Sequence, residues 1–137
     1  MEPAAGIALA AGEGEPVGTS VLKAARPELS FIELQVQPGG GVSPHFHKRH
    51  SDSFYVLEGE VEFHAGDDIV SGIPGTYVLA PPRVVHWFRN VSDAPARMLN
   101  LHTPGGFAEY RRELEDLRAR GVEPDRAFFE GHDIFDV

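Results

Sequence analysis

Residues 45–52 read His-Phe-His-Lys-Arg-His-Ser-Asp, which brings two histidines, His45 and His47, close to a carboxylate, Asp52. Side chains at positions i and i+2 of a β-strand point to the same face of the sheet. Asp52 lies an odd number of residues after His47, so the chain must bend between them for all three to converge. Neutral imidazoles with a carboxylate form the donor set of a divalent transition metal that keeps open coordination positions.

Regularly spaced glycine, proline and asparagine residues surround this stretch. Gly39 precedes the first histidine, and Gly59 follows the aspartate after six intervening residues. A second group begins after fifteen intervening residues and consists of Gly75, Pro81, His86 and Asn90. The second group therefore supplies a third histidine from a distant part of the chain.

This two-part pattern resembles the paired motifs of the cupin family, G-(x)5-H-x-H-(x)3–4-E-(x)6-G and G-(x)5-P-x-G-(x)2-H-(x)3-N. The wider similarity covers residues 29–117 and is to small single-domain cupins of the quercetin-dioxygenase type. The resemblance implies an all-β, cupin-type barrel (a double-stranded β-helix or jelly roll) with C-terminal helices packed outside. It also implies one divalent transition metal (Fe, Mn, Ni, Cu or Zn) bound by His45, His47, Asp52 and His86.

Asp52 stands where the family has a glutamate ligand, and aspartate is one methylene shorter. Carboxylate ligands lie about 2.0–2.2 Å from zinc, so the length of the side chain decides whether it can bind the metal directly. Three arrangements remain open: direct ligation, ligation through water, or a site of three histidines with Asp52 as an outer hydrogen-bond acceptor. In the family the carboxylate often also acts as a base, which makes Asp52 the candidate catalytic residue.

Arg83 stands where the family has a glycine. If the backbone there has a positive φ, an arginine costs about 1–2 kcal/mol. Alternatively, Pro81 and Pro82 reshape the turn. We expect the Arg83 side chain to lie on the surface.

The composition indicates one soluble globular domain over residues 1–137, with 42% apolar and 24% charged residues. The net charge of −9 argues against nucleic acid or an anionic membrane as a partner. The chain has no cysteine, so neither a disulfide nor a thiolate ligand is available. The sequence begins with an acidic residue, Glu2, and only a short apolar run, so it does not resemble a signal peptide. We therefore expect the protein in the cytoplasm.

Short strands recur about every ten residues with a turn signal between them, which indicates an all-β sandwich or barrel. We expect the barrel core over residues 29–104. Residues 1–20 are rich in glycine, alanine, glutamate and proline, and we expect them to be loosely held, with a short strand near Gly6–Ala10.

The pattern changes to a helical one after the barrel, over a C-terminal extension at residues 106–137. Apolar residues at helical spacing predict an amphipathic helix from Gly106 to Arg120, and these residues are Phe107, Tyr110, Leu114 and Leu117. Arg111 and Arg112 alternate with acidic residues, so we expect both on the solvated face. Pro124 is expected to open a second, shorter helix.

The predicted substrate pocket follows from strand alternation. Phe54 and Val56 share the face of Asp52, and Phe88 shares the face of His86. Asn100 and His102 share another strand face, which lines either the cavity or the outside, and alternation alone cannot decide between the two. We expect His50 to be exposed in the turn beside the first motif. An apolar pocket with few polar groups suits a small organic substrate.

The favoured function is a mononuclear metal-dependent oxygenase that acts on a small aromatic or enol-like substrate. Two alternatives remain: a metal-dependent isomerase or lyase, and a non-catalytic cupin that binds a small ligand. Cupins commonly pair through barrel edges, so we expect a homodimer. The candidate surfaces are the N-terminal strand and an apolar tail, which contains Phe128, Phe129, Ile134 and Phe135.

Overall fold

The structure is a computed structural model that describes residues 5–137. Within this range the chain forms eleven strands and two helices. The first five strands are β1 (Glu15–Val17), β2 (Ser20–Ala25), β3 (Ser30–Val36), β4 (Gly41–Phe46) and β5 (Ser51–Glu58). The next five are β6 (Val61–Ala65), β7 (Asp68–Gly72), β8 (Tyr77–Ala80), β9 (His86–Arg89) and β10 (Ala96–Thr103). Helix α1 (Phe107–Ala119), helix α2 (Arg126–Gly131) and β11 (Phe135–Asp136) complete the fold.

Two antiparallel sheets form the barrel. The larger sheet has the strand order β1-β2-β3-β10-β5-β8, and the smaller has the order β11-β4-β9-β6-β7. Alternating residues of both sheets point inward and fill the space between them with apolar side chains, which include Val56, Phe63 and Met98. The predicted all-β barrel is confirmed.

Helix α1 packs against the larger sheet, where Ala108 belongs to one buried cluster with Val17, Leu22 and Ile32. Helix α2 begins two residues later than Pro124 predicts. Its N-cap is Asp125, whose Oδ1 accepts a hydrogen bond of 2.9 Å from the backbone N–H of Phe128. No helix within residues 5–137 is long and apolar enough to cross a membrane.

The apolar tail packs within the chain. Ile134 is buried with Tyr110 and Leu114, and Phe128 and Phe129 pack against the same cluster. The ring of Phe135 stacks on that of Phe46 at a centroid distance of 5.4 Å. The tail is therefore not the free apolar surface that the sequence suggests for dimer contacts.

The N-terminal strand lies later than predicted. Residues 6–10 form no strand, whereas β1 pairs with β2 and buries Val17. The alternation of Val17 with exposed neighbours is too short to be recognised in a segment rich in glycine and alanine. The division of the chain into a loosely held start, a barrel core and a helical extension stays a prediction.

Candidate metal centre

Four side chains from three strands converge at one end of the barrel. His45 lies near the end of β4, with His47 just after it, and Asp52 and His86 lie at the starts of β5 and β9. One possible ligand atom from each of the four lies within 4.8 Å of the others. His47, Asp52 and His86 are buried, and His45 is half-buried. These are the four residues that the two sequence motifs predict to converge.

A β-bulge in β4 aims the first histidine. Val42 pairs with Phe88 and His45 pairs with His86, so β4 has one residue more than β9 between these pairs. The extra length includes Pro44, which lacks the N–H that a regular ladder would use. The ring of His45 therefore lies 4.3 Å from that of His86, between centroids.

The three histidines share one hydrogen-bond pattern, in which Nδ1–H donates to a backbone carbonyl. The acceptors are Ser43 at 2.7 Å for His45, Asp133 at 2.8 Å for His47, and Val84 at 2.9 Å for His86. A carbonyl oxygen can only accept, so each Nδ1 carries the proton and each Nε2 of the neutral ring carries a lone pair. Such partners fix the tautomer and orientation of metal-binding histidines.

One carboxylate oxygen faces two of these lone pairs. Oδ2 of Asp52 lies 3.3 Å from Nε2 of His47 and 3.0 Å from Nε2 of His86. Acceptor atoms this close need a shared cation, which is either a proton or a metal ion. Burial would lower the pKa of His86, but the hydrogen bond to Asp52 outweighs burial and raises this pKa, so a proton on Nε2 is one such cation. Two ligands about 2.1 Å from one metal and at right angles to each other are separated by about 3.0 Å. The donor set and these two distances are compatible with one divalent transition metal, with Oδ2 of the shorter aspartate among the possible ligand atoms.

The second oxygen of Asp52 is held by Asn100. The Nδ2 amide of Asn100 donates to Oδ1 of Asp52 at 2.6 Å and to the Ser53 carbonyl at 2.9 Å. The Nε2–H of His102 in turn donates to Oδ1 of Asn100 at 2.9 Å. Burial would raise the pKa of Asp52, but the hydrogen bonds from His47 and His86 outweigh burial and hold this pKa well below its usual range. Asp52 is therefore ionised and oriented.

Two further histidines lie behind the first three. His50 is buried, not exposed as the sequence suggests, because Asp133 covers the turn and accepts from Nδ1 of His50 at 2.8 Å. The ring of His102 stacks on Phe107 at 3.6 Å between centroids. Among the described residues, Nε2 of His50 and Nδ1 of His102 are buried without a hydrogen-bond partner. Burial lowers the pKa of His102 to about 3, so its ring is neutral.

Asp133 is the site residue that sequence reasoning misses. Its carboxylate accepts from the backbone N–H groups of Lys48 and Arg49, each at 2.9 Å, and so holds the turn after the first motif. Its carbonyl orients His47. Asp133 has a φ of 64°, a left-handed conformation that aspartate tolerates better than most residues. No local pattern marks it, since it lies 86 residues from the histidine it contacts.

The backbone of Arg83 also helps to hold the turn that follows His47. Its φ is 72°, so arginine adopts the conformation that favours glycine, and Pro81 and Pro82 do not remove the need for it. The backbone N–H of Arg83 donates to the carbonyl of His47 at 2.6 Å. The side chain is exposed, as expected.

A cavity of about 310 Å³ opens beside His45 and Asp52. Of the five predicted pocket residues, Phe54, Phe88 and Asn100 line it. Val56 and His102 do not. Val56 lies deeper, in the apolar core with Met98, and His102 lies behind Asn100. Strand alternation leaves open whether Asn100 and His102 point into the barrel or outward. In the structure both are buried and point inward.

Helix α1 supplies part of the cavity wall. Phe107 and Arg111, one helical turn apart, both line the cavity. Arg111 is half-buried and not on the solvated face, whereas its neighbour Arg112 is exposed and forms an ion pair with Glu15 at 2.7 Å. Position explains the difference, because Arg111 is four residues after Phe107 and three before Leu114, on the buried face.

The fold and these four side chains define a member of the cupin family. Residues 32–102 match the family described as Cupin domain, and this range is more than half of the 137-residue chain. The chain therefore belongs to the cupin family, which confirms the predicted membership.

Individual relatives are distant. Quercetin 2,3-dioxygenase of Bacillus subtilis (strain 168) is 28% identical over 89 residues, or 65% of this chain. The match spans 26% of that relative, about a quarter of its length. The crystal structure of TT1209 from Thermus thermophilus has a TM-score of 0.60 at 27% identity, covering 63% of this chain and 82% of that one. KdgF from Halomonas sp. has a TM-score of 0.58 at 24% identity, covering 62% and 76%.

Proposed function

We propose that this cupin is a mononuclear metal-dependent oxygenase that acts on a small aromatic or enol-like substrate. The observation that carries the proposal is the shared orientation of His45, His47 and His86. Nδ1–H of each ring donates a hydrogen bond to a backbone carbonyl, and Nε2 of both His47 and His86 faces Oδ2 of Asp52. Three imidazoles and one carboxylate leave one or two positions of an octahedral metal for other ligands.

The cavity beside the site supports a small organic substrate. Its volume of about 310 Å³ lies at the lower end of the range for ligand pockets. Phe54, Phe88 and Phe107 give it an apolar wall, which would exclude water from reactive species. The likeness to a quercetin 2,3-dioxygenase favours oxygenase chemistry over the alternatives, with an aromatic or enolic substrate.

Each residue would have a distinct task in the reaction. His45, His47, His86 and Asp52 would hold the metal, which when bound supplies sites for substrate oxygen and dioxygen. Asn100 would keep Asp52 in place through its 2.6 Å hydrogen bond. Asp52 is also the proposed catalytic base. The hydrogen bonds from His47 and His86 that lower its pKa make Asp52 a weak proton acceptor while they persist, so we expect proton transfer to require a change in these contacts.

Metal analysis followed by oxygen uptake tests the proposal. Protein loaded with Fe(II), Mn(II), Ni(II) or Cu(II) is offered a panel of flavonols, enediols and catechols. We expect oxygen consumption with at least one pair of metal and substrate, and its loss in His86→Ala. His64→Ala is the matched control, since His64 stacks on Trp87 away from the site.

The alternatives predict different outcomes of the same assay. Conversion of an enolisable substrate without oxygen would favour a metal-dependent isomerase or lyase. Tight binding of an unaltered small molecule, with no uptake for any metal, would favour a non-catalytic cupin. Failure of the purified protein to bind any of these metals would refute the proposal.

We also propose a homodimer. Strand β8 is an edge of the larger sheet, and open edges favour pairing. Tyr55, Tyr77 and Leu79 are exposed on β5 and β8, where they offer an apolar face. Light scattering should give about twice the 15.0 kDa monomer mass, and Leu79→Asp should reduce it to one monomer mass. A cytoplasmic location also stays a prediction, which cell fractionation would test.

A further inference from the structure

Within residues 5–137, no carboxylate lies within 4.0 Å of the Arg111 guanidinium, and Glu115 acts on its charge only from a greater distance. Arg111 lines the cavity beside the candidate metal centre. Its Nε atom is shielded from solvent. This nitrogen has no hydrogen-bond acceptor among residues 5–137. Burial of the group lowers the pKa of Arg111. The shielded Nε is out of reach of a ligand in the cavity, so the terminal guanidinium nitrogens are the donors that a ligand there would meet. A partly buried charge with no close counter-charge gains from an anionic partner.

The other arginines in the described part of the chain do not share this situation. Five form ion pairs with carboxylates, namely Arg26, Arg49, Arg97, Arg112 and Arg120. The remaining four are exposed to solvent, and these are Arg83, Arg89, Arg118 and Arg126. Only Arg111 within this range is both half-buried and without a carboxylate inside 4.0 Å. The chain has 21 acidic residues for 12 basic ones, so acidic partners are not scarce.

The surroundings of Arg111 favour a small singly charged anion. The cavity wall is largely apolar, with Leu34, Val36 and Phe107 among its members. Gln35, Gln37 and Asn100 are the amides in the same wall, and the described residues place no second cationic side chain there, because burial lowers the pKa of His45 to about 4. One arginine matches a carboxylate through two parallel hydrogen bonds. A doubly charged phosphate would call for more donors than this wall offers.

We propose that the cavity binds a small organic carboxylate, with Arg111 as the ion-pair partner of the carboxylate group. The opposite end of the same molecule would face His45 and Asp52. This second part rests on the proposed metal-dependent function and narrows its substrate class to aromatic or enolic carboxylic acids. The ion pair itself requires only the cavity and Arg111.

Binding of three carboxylates tests the proposal. Benzoate, salicylate and pyruvate are titrated calorimetrically into the wild-type protein, with and without Zn(II). Salicylamide serves as the uncharged counterpart of salicylate. We expect at least one carboxylate to bind more tightly than salicylamide, and Arg111→Gln to weaken that carboxylate at least tenfold without changing salicylamide.

Two variants control for indirect effects. Arg111→Lys keeps the charge but loses the paired donors, and we expect intermediate carboxylate affinity. Arg112→Gln removes the adjacent surface arginine, and we expect wild-type affinity because Arg112 pairs with Glu15 outside the cavity. Thermal unfolding of each variant establishes that it is folded before titration.

The outcomes separate this inference from the proposed function. Equal carboxylate affinity in the wild type and Arg111→Gln, or no carboxylate binding to the wild type, would overturn the inference. Zn(II) affinity is measured on the same samples. Arg111-dependent binding in a protein that takes up no metal would refute the metal function and leave the carboxylate site intact.

Discussion

Two groups of histidines lie side by side in this barrel and differ in what their rings contact. His45, His47 and His86 each donate Nδ1–H to a backbone carbonyl. His50 and His102 instead bond to side chains, those of Asp133 and Asn100, and each keeps one ring nitrogen without a partner among the described residues. The rings of His47 and His50 stack at 4.0 Å between centroids.

The difference shows how histidines a few ångströms apart have two roles, as possible metal ligands and as structural supports. A backbone carbonyl is a fixed acceptor, so it sets both the tautomer and the direction of the free nitrogen. Side-chain partners hold His50 and His102 as supports for the turn and for Asn100. We therefore expect metal affinity to depend strongly on the first group and weakly on the second.

Removal of a ligand histidine should give the largest effect. We expect His47→Ala to abolish stoichiometric metal binding, because it removes one Nε2 donor and leaves Asp133 without its ring partner. Metal content after dialysis against a defined Zn(II) buffer measures this. His64→Ala, outside both groups, should retain one metal per chain. Stoichiometric binding by His47→Ala would exclude the site.

Substitution of Asp52 comes next in expected effect. Asp52→Ala should weaken metal binding by about 10–100-fold or more. Asp52→Glu should not tighten it, since Oδ2 already lies 3.0 Å from His86 and a longer side chain must give up Asn100. Competition titration with a chelator gives the dissociation constants. Equal affinities in all three proteins would place the carboxylate outside the coordination sphere.

A smaller effect is expected at Asp133, which touches both groups. Asp133→Ala frees the turn after β4, and we expect metal affinity to fall about tenfold. Asp133→Asn should reduce metal affinity less than Asp133→Ala does, because the amide oxygen can still accept from one backbone N–H and asparagine tolerates the positive φ. The same chelator competition measures both. An unchanged constant in Asp133→Ala would show that the turn is held by other contacts.

The second group should affect stability more than metal binding. His50→Gln loses the 2.8 Å hydrogen bond to Asp133, worth about 1 kcal/mol, or roughly 3–5 °C in the melting temperature. Metal affinity should change by less than about threefold. Calorimetric melting and metal titration on one preparation separate the two quantities. A loss of affinity as large as that of His47→Ala would erase the distinction between the two groups.

Motif spacing predicts the fold and the convergence of four side chains, because alternation along strands is a local property. It predicts less where long-range contacts decide. His50 looks like an exposed turn residue until Asp133, far along the chain, covers it. Strand alternation also groups Val56 with Phe54, although the depth of each within the barrel depends on what the opposite sheet contributes.

Some missed features did leave a signal in the sequence. Pro44 stands inside β4, where proline is compatible with a bulge and not with a regular ladder. Arg111 occupies the apolar face that Phe107 and Leu114 define, so its burial follows from helical spacing. Charge alternation along the helix hides that placement, because it treats Arg111 and Arg112 as equivalent.

The hydrogen bond between Asp133 and His47 makes the C-terminal tail a reporter of the metal centre. Thermodynamic linkage is reciprocal, so docking of the tail must gain from metal binding by the same factor by which it improves metal affinity. Backbone amides at Asp133 and Ile134 should therefore exchange more slowly as metal is added. Metal occupancy of the site can then be followed at a segment 86 residues away from His47 in sequence, without a known substrate.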